Sequence, residues 1–252
     1  MSQPYKIMIR VENRSMQSIH IMNAFDQELK FLAGRIAAMG GHAERMVEQA
    51  VQALVHHDLD LARKVIADDL VLDEGQREID EKAIVVIARR QPMADDLRAV
   101  IGAIRISSDL ERVGDLGKNI AKRLLTIADT PQPVRLSRGI EALAQLALTQ
   151  LKDVLDAYAT RSIDRIGLVR DRDDDIDAMY TSLFRELLTY MMEDPRNIAA
   201  CTHLLFCAKN IERIGDHATN IAETVYHIIA GEQLPIERPK EDQTHKVTLD
   251  RD

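Results

Sequence analysis

Leu110-Glu111-Arg112-Val113-Gly114-Asp115-Leu116-Gly117-Lys118-Asn119-Ile120-Ala121-Lys122 recurs 101 residues later as Ile211-Glu212-Arg213-Ile214-Gly215-Asp216-His217-Ala218-Thr219-Asn220-Ile221-Ala222-Glu223. Seven of the thirteen positions are identical, and two more exchange Leu, Ile or Val. A period of this length exceeds that of solenoid repeats and indicates a duplicated domain. The retained polar residues are Glu, Arg, Asp and Asn, which a packed core does not by itself require. The repeat therefore marks both the architecture and a candidate site.

Working outward, the composition suits two small helical domains. The chain has 252 residues, 46% hydrophobic, with no Trp, four Phe and five Tyr, so the core is expected to be aliphatic. Helix formers dominate. The net charge of −8 argues against nucleic-acid binding, which needs a Lys/Arg surplus for phosphate contacts. Cys201 and Cys207 are six apart, about 120° round a helix, and read as reduced core thiols. No N-terminal stretch resembles a signal peptide, and the longest apolar run, Ala83-Ile84-Val85-Val86-Ile87-Ala88, is far short of the ~20 residues that span a bilayer. A cytoplasmic protein is expected.

Proline placement divides the chain. No proline interrupts the intervals from Pro4 to Pro92 or from Pro133 to Pro195, and each needs one internal turn to become two antiparallel helices. Asp58 is the expected cap after the first turn and Ser162 after the second, while Asp194-Pro195 reads as a helix start. The expected helices are 19–57, 59–90, 93–128, 134–160, 162–192 and 195–230, making an all-α chain of two tandem three-helix bundles. Residues 1–18 read as an N-terminal arm, 19–130 and 131–231 as the two repeats, and 232–252 as a mobile C-terminal tail. Asp129-Thr130-Pro131-Gln132-Pro133 is the linker.

At 100° per residue Leu97, Ile101, Ile104, Glu111, Asp115 and Asn119 share one side of the third helix, with Ile106, Leu110, Val113, Ile120 and Leu124 opposite. The first turns are expected to face the core with Leu97 and Ile101, and the motif with the far side. In the sixth helix Ile211, Ile214, Ile221 and Val225 face inward, leaving Glu212, Asp216 and Asn220 outward. Gly114 and Gly215 remove bulk beside the acidic residues.

Glu111 and Asp115 are four apart, as are Glu212 and Asp216. Like charges at that spacing cost about 0.2–0.5 kcal/mol and call for compensation, by Arg112 or Arg213 reaching to a neighbouring helix or by a bound cation. Asp69 and Asp73, with Asp80 further along, form a second pair on helix two; Asp173 and Asp177 do so on helix five. Antiparallel neighbours would set four carboxylates together in each half. An all-oxygen donor set favours Mg²⁺, Mn²⁺, Ca²⁺ or iron over zinc. His217 is replaced by Leu116 in the first copy and is not part of a shared site.

Three readings of the acidic stripes compete: a metal site, a metal-free helical scaffold whose acidic faces meet partner proteins, and a ferritin-like di-metal oxidase. The last requires Glu-x-x-His on inward faces. None of the eight histidines has Glu three residues before it. No phosphate loop or nucleophile triad can be placed.

Ile87-Ala88-Arg89-Arg90-Gln91-Pro92, Leu188-Thr189-Tyr190-Met191-Met192-Glu193-Asp194 and both Glu-Arg-Val/Ile-Gly-Asp motifs resemble the PhoU family of phosphate-transport accessory proteins. The resemblance covers about residues 20–230. It implies two three-helix bundles carrying surface metal clusters, with Asp69, Asp73, Glu111 and Asp115 as ligands in one half and Asp173, Asp177, Glu212 and Asp216 in the other. Asn119 and Asn220 would be further ligands or orienting partners. It also implies a homodimeric negative regulator of the phosphate-starvation response and of phosphate uptake, not an enzyme. Such a protein links the phosphate ABC transporter ATPase to its sensor histidine kinase and meets the membrane only through partners. One departure stands out: Asp73 and Glu111 are 38 residues apart, Asp177 and Glu212 only 35.

Overall fold

The structure, a computed structural model, describes the backbone of residues 4–130 and 134–234. Its elements are α1 (Pro4–His56), α2 (Leu59–Arg90), α3 (Asp95–Thr126), α4 (Val134–Thr160), α5 (Asp164–Glu193), a 3-10 turn (Pro195–Asn197) and α6 (Ile198–Ala230). No strand occurs among the described residues. Residues 4–18, read from the sequence as an arm, are the opening turns of α1. Pro4 stands at the start of that helix, where its missing N–H costs nothing. Residues 235–252 of the expected tail lie outside the described residues.

α1, α2 and α3 form one bundle and α4, α5 and α6 the other, and they are fused by α1 against α4 and α3 against α6. The buried residues make one continuous cluster across both halves, not two separate cores. It is almost wholly aliphatic; Tyr180 is its one aromatic ring among the described residues. Cys201 and Cys207 are free and buried as expected, and burial pushes the Cys207 thiol up to about 12.

The duplication extends to the turns. α1 ends with His57 at φ 58° and Asp58 N–H donating to Ala53 O at 2.9 Å; α4 ends with Arg161 at φ 52° and Ser162 N–H donating to Ala157 O at 3.1 Å. Both are left-handed helix stops closed by a six-residue hydrogen bond. Asp58 then caps α2 as expected, accepting from Asp60 N–H and Leu61 N–H at 3.1 and 2.9 Å. Ser162 does not cap α5: Ile163, in a helical conformation, takes the N-cap position, so Ser162 stands one residue too early and the helix starts at Asp164 without a side-chain cap bond. Asp194 accepts from Arg196 N–H at 2.9 Å, but it caps the 3-10 turn that precedes α6.

That turn also explains the unequal motif spacing. Residues 91–94 join α2 to α3 and residues 194–197 join α5 to α6, but only the second connection is itself wound into a 3-10 turn, so the register shift of three residues falls at this junction.

The expected change of core face along α3 does not occur. Leu97 and Ile101 are each 37% exposed, on the same strip as Arg112 and Asn119, while the buried side runs unbroken from Val100 to Leu124. α3 packs against α1, α2 and α6, which leaves it one narrow exposed strip.

Gly114 and Gly215 occupy equivalent close approaches. A Cβ on Gly114 would run into Leu72 Cδ1 of α2, and one on Gly215 would lie 3.0 Å from both Gln150 Oε1 of α4 and Ile176 Cδ1 of α5. Gly114→Val should lower stability by about 2 kcal/mol through overpacking. Gly34→Ala, with nothing within 4 Å of the added carbon, should raise it by about 0.5–1 kcal/mol. Urea denaturation midpoints of the two variants, moving in opposite directions, check this assignment.

Candidate metal centre

In the first half α2 and α3 pack side by side and bring Asp69, Asp73, Glu111 and Asp115 into one electrostatic neighbourhood. Asp69 is only 7% exposed, so its charge needs a partner. Lys118 supplies it: Nζ donates to Asp69 Oδ2 across the helix interface and to Asp115 Oδ1 on its own helix, both at 2.5 Å. Burial alone would lower the Lys118 pKa, but hydrogen bonds and charge from Asp115 and Asp69 outweigh it and hold the ammonium well above the usual lysine range. Arg112 adds weaker pairs to Glu111 (3.4 Å) and Asp115 (3.2 Å). It therefore serves the carboxylates of its own helix and not, as the sequence suggested, a neighbouring one.

Glu111 sits in an excess of negative charge despite its pair with Arg112. Burial pushes its carboxyl up, Asp115 pushes it further against the pull of Arg112, and Asp73 and Asp69 add to the rise. A carboxylate held in an excess of negative charge is stabilised by a cation.

The second half is built differently. Asp177 and Glu212 are 9% and 5% exposed, so Glu212 is buried where an outward position was expected. The reason is the wide buried arc of α6, which packs against α3, α4 and α5. Lys209 Nζ donates to Glu212 Oε1 at 2.8 Å and lies 5.2 Å from the Tyr180 ring centroid. Thr219, at the position of Lys118, donates through Oγ1 to Asp173 Oδ1 at 3.2 Å. Gln150, fully buried on α4, donates through Nε2 to Val169 O (3.0 Å), Thr219 Oγ1 (3.1 Å) and Asp173 Oδ1 (3.4 Å). Asp216 is half-buried and Asn220 exposed.

The donor chemistry fits a hard cation, all oxygen and mostly anionic. The geometry is not closed around one: among the described residues no three His, Cys, Asp or Glu side chains converge as a metal-holding group. In the first half Lys118 bridges two of the carboxylates that a metal would use. Asn119 is exposed and opens onto a polar pocket with Lys122, Arg123, Thr126 and Asn210.

Lys118, Gln150 and Lys209 escaped the sequence reading. Lys118 sits three residues after Asp115, and Lys209 three before Glu212, a spacing that places helical side chains side by side. That signal was available for both. Nothing in the sequence singles out Gln150 among the polar residues of α4.

The PhoU domain family model matches residues 36–124 and again 140–225. A Rhizobium meliloti protein named as a phosphate-specific transport system accessory protein PhoU homolog is 65% identical over 229 residues, 91% of this chain and 97% of that protein. A Caulobacter vibrioides protein of the same name is 49% identical over 223 residues, 88% of this chain and 97% of its own length. The crystal structure of PhoU from Pseudomonas aeruginosa superposes with a TM-score of 0.77 at 36% identity, covering 82% of this chain and all of that one. That of the phosphate transport system regulatory protein PhoU from Streptococcus pneumoniae also gives 0.77, at 28% identity, covering 84% of this chain and 100% of that one.

The electrostatics of the first cluster fix its response to pH. The folded-state pKa of Glu111 lies above the reference 4.5, so its ionised form disfavours folding above that raised pKa, and the penalty disappears as pH falls through it. Glu111→Gln should therefore raise the melting temperature at about pH 7–8, with the gain fading to nothing near pH 4. Melting curves across that range in chelator test it; a gain that persists at the acid end contradicts the assignment.

Proposed function

Because the chain belongs to the PhoU family, we propose that it is a cytoplasmic accessory regulator of phosphate transport. Specifically, it acts as a homodimeric negative regulator of the phosphate-starvation response and of phosphate uptake, linking the ATPase of a phosphate ABC transporter to a sensor histidine kinase. The observation that carries this reading is the 65% identity to the Rhizobium meliloti PhoU homolog along 91% of the chain. It acts by binding and not by turnover. No described helix is long and apolar enough to cross a membrane.

Within that role the acidic pairs are cation sites. Asp69, Asp73, Glu111 and Asp115 serve one half, and Asp173, Asp177, Glu212 and Asp216 the other, for Mg²⁺, Mn²⁺, Ca²⁺ or iron. The excess of negative charge around Glu111, which Arg112 only partly offsets, supports this. A metal-free adaptor is the second reading, favoured by the bridge that Lys118 already makes between Asp69 and Asp115.

Deleting the gene should derepress phosphate-scavenging genes in phosphate-replete medium, and restoring the chain should repress them again. Reporter expression in the deletion and complemented strains reads this directly. Unchanged repression in the deletion strain, with neither transporter ATPase nor kinase retained in pull-down, overturns the regulatory reading.

A further inference from the structure

The pocket between α3 and α6 differs in chemistry from the acidic pairs beside it. It is an open surface depression of about 340 Å³ lined by Asn119, Lys122, Arg123 and Thr126 of α3 and by Asn210 of α6. All five are polar and none is a carboxylate. In a chain of net charge −8, neither Lys122 nor Arg123 has a carboxylate partner among the described residues. We propose that this pocket binds a phosphoryl oxyanion.

Arg123 is held in place for that task. Its guanidinium carbon lies 4.0 Å from the Phe206 ring centroid, and Nη1 donates to His203 Nδ1 at 3.3 Å. Burial and the adjacent Arg123 push His203 down, so the ring stays neutral and accepts the bond. One N–H of five is thus used, and the planar fork keeps its other donors on a stacked, oriented group. Lys122 adds a point charge, and the Asn119 and Asn210 carboxamides add neutral donors. The cavity has room for a tetrahedral ion together with several waters at about 30 Å³ each.

The duplication supplies an internal comparison. At the 101-residue offset, Asn119, Lys122, Arg123 and Thr126 correspond to Asn220, Glu223, Thr224 and His227, and Asn210 corresponds to Asp109. The equivalent corner of the molecule therefore exchanges its two cations for a carboxylate and a hydroxyl, and one carboxamide for a second carboxylate. Asp109 there is paired with His217, 2.8 Å away. The equivalent corner has arginines of its own, Arg98 and Arg105 of α3 beside Thr224 and His227, so what is confined to one side is the adjacent Lys122–Arg123 pair with its two carboxamides.

Asn119 also borders the acidic pair, so the test removes metal first and begins with full-length protein stripped by chelator and dialysed. Inorganic phosphate and O-phosphoserine are titrated in parallel by calorimetry at low ionic strength, with sulfate as a competitor. Lys122→Gln and Asn210→Asp, both substitutions outside the core, should each weaken binding about tenfold, the loss of one good charge-assisted contact. Glu223→Gln on the equivalent corner should leave it unchanged. Tighter binding of phosphoserine assigns the pocket to a phosphorylated side chain and tighter binding of phosphate to the free ion; either supports the site. Absence of saturable binding up to about 10 mM, or equal affinity in wild type, Lys122→Gln and Asn210→Asp, overturns it.

Discussion

Everything in this fold depends on two helices that are packed on three sides. α3 is pressed between α1, α2 and α6, and α6 between α3, α4 and α5. Only a narrow strip of each reaches solvent, and polar residues at the strip's edges are half-buried by geometry. Close approach requires Gly114 and Gly215, because a Cβ at either site meets the neighbouring helices. The same approach draws Asp69 and Glu212 out of water and so imposes a charge partner on each: Lys118 for the first, Lys209 for the second. Fold and site are consequences of one packing arrangement.

Duplication set that arrangement up twice, and the copies have since diverged in charge. Where the first half places Lys118 between two carboxylates, the second has the neutral Thr219 hydrogen-bonded to Asp173 and supported by Gln150. Where the first half presents Lys122 and Arg123, the second presents Glu223 and Thr224. The halves are therefore alike in backbone and unlike in local charge. An accessory protein with unlike halves can hold two kinds of ligand or partner on one rigid frame.

The helical class, the two bundles and the α1–α2 turn at Asp58 were legible because they follow from local rules: proline placement, capping and a repeated motif. The acidic pairs were legible from their spacing. What failed depended on tertiary context. Leu97 and Ile101 look like core on a helical wheel, but α3 has a third neighbour in α6, and the wheel cannot say how wide the buried arc is. Glu212 was expected outward for the same reason. Ser162 has the right chemistry for a cap, but it stands one residue before the N-cap position, which Ile163 occupies. The Asp69–Lys118 contact spans 49 residues and arises only when α2 lies against α3.

The claim that these acidic pairs are cation sites, with Lys118 as resident counter-charge in the first, is tested most directly by a metal titration. Mn²⁺ or Mg²⁺ binding is measured by calorimetry on chelator-stripped wild type, on Lys118→Thr and on Glu111→Ala/Asp115→Ala. Removing the ammonium should strengthen binding at the first half by about tenfold, the double alanine variant should lose that site, and all three should remain helical by circular dichroism. Equal and negligible metal binding by all three proteins would contradict the account and leave the carboxylates as surface charge on a metal-free adaptor.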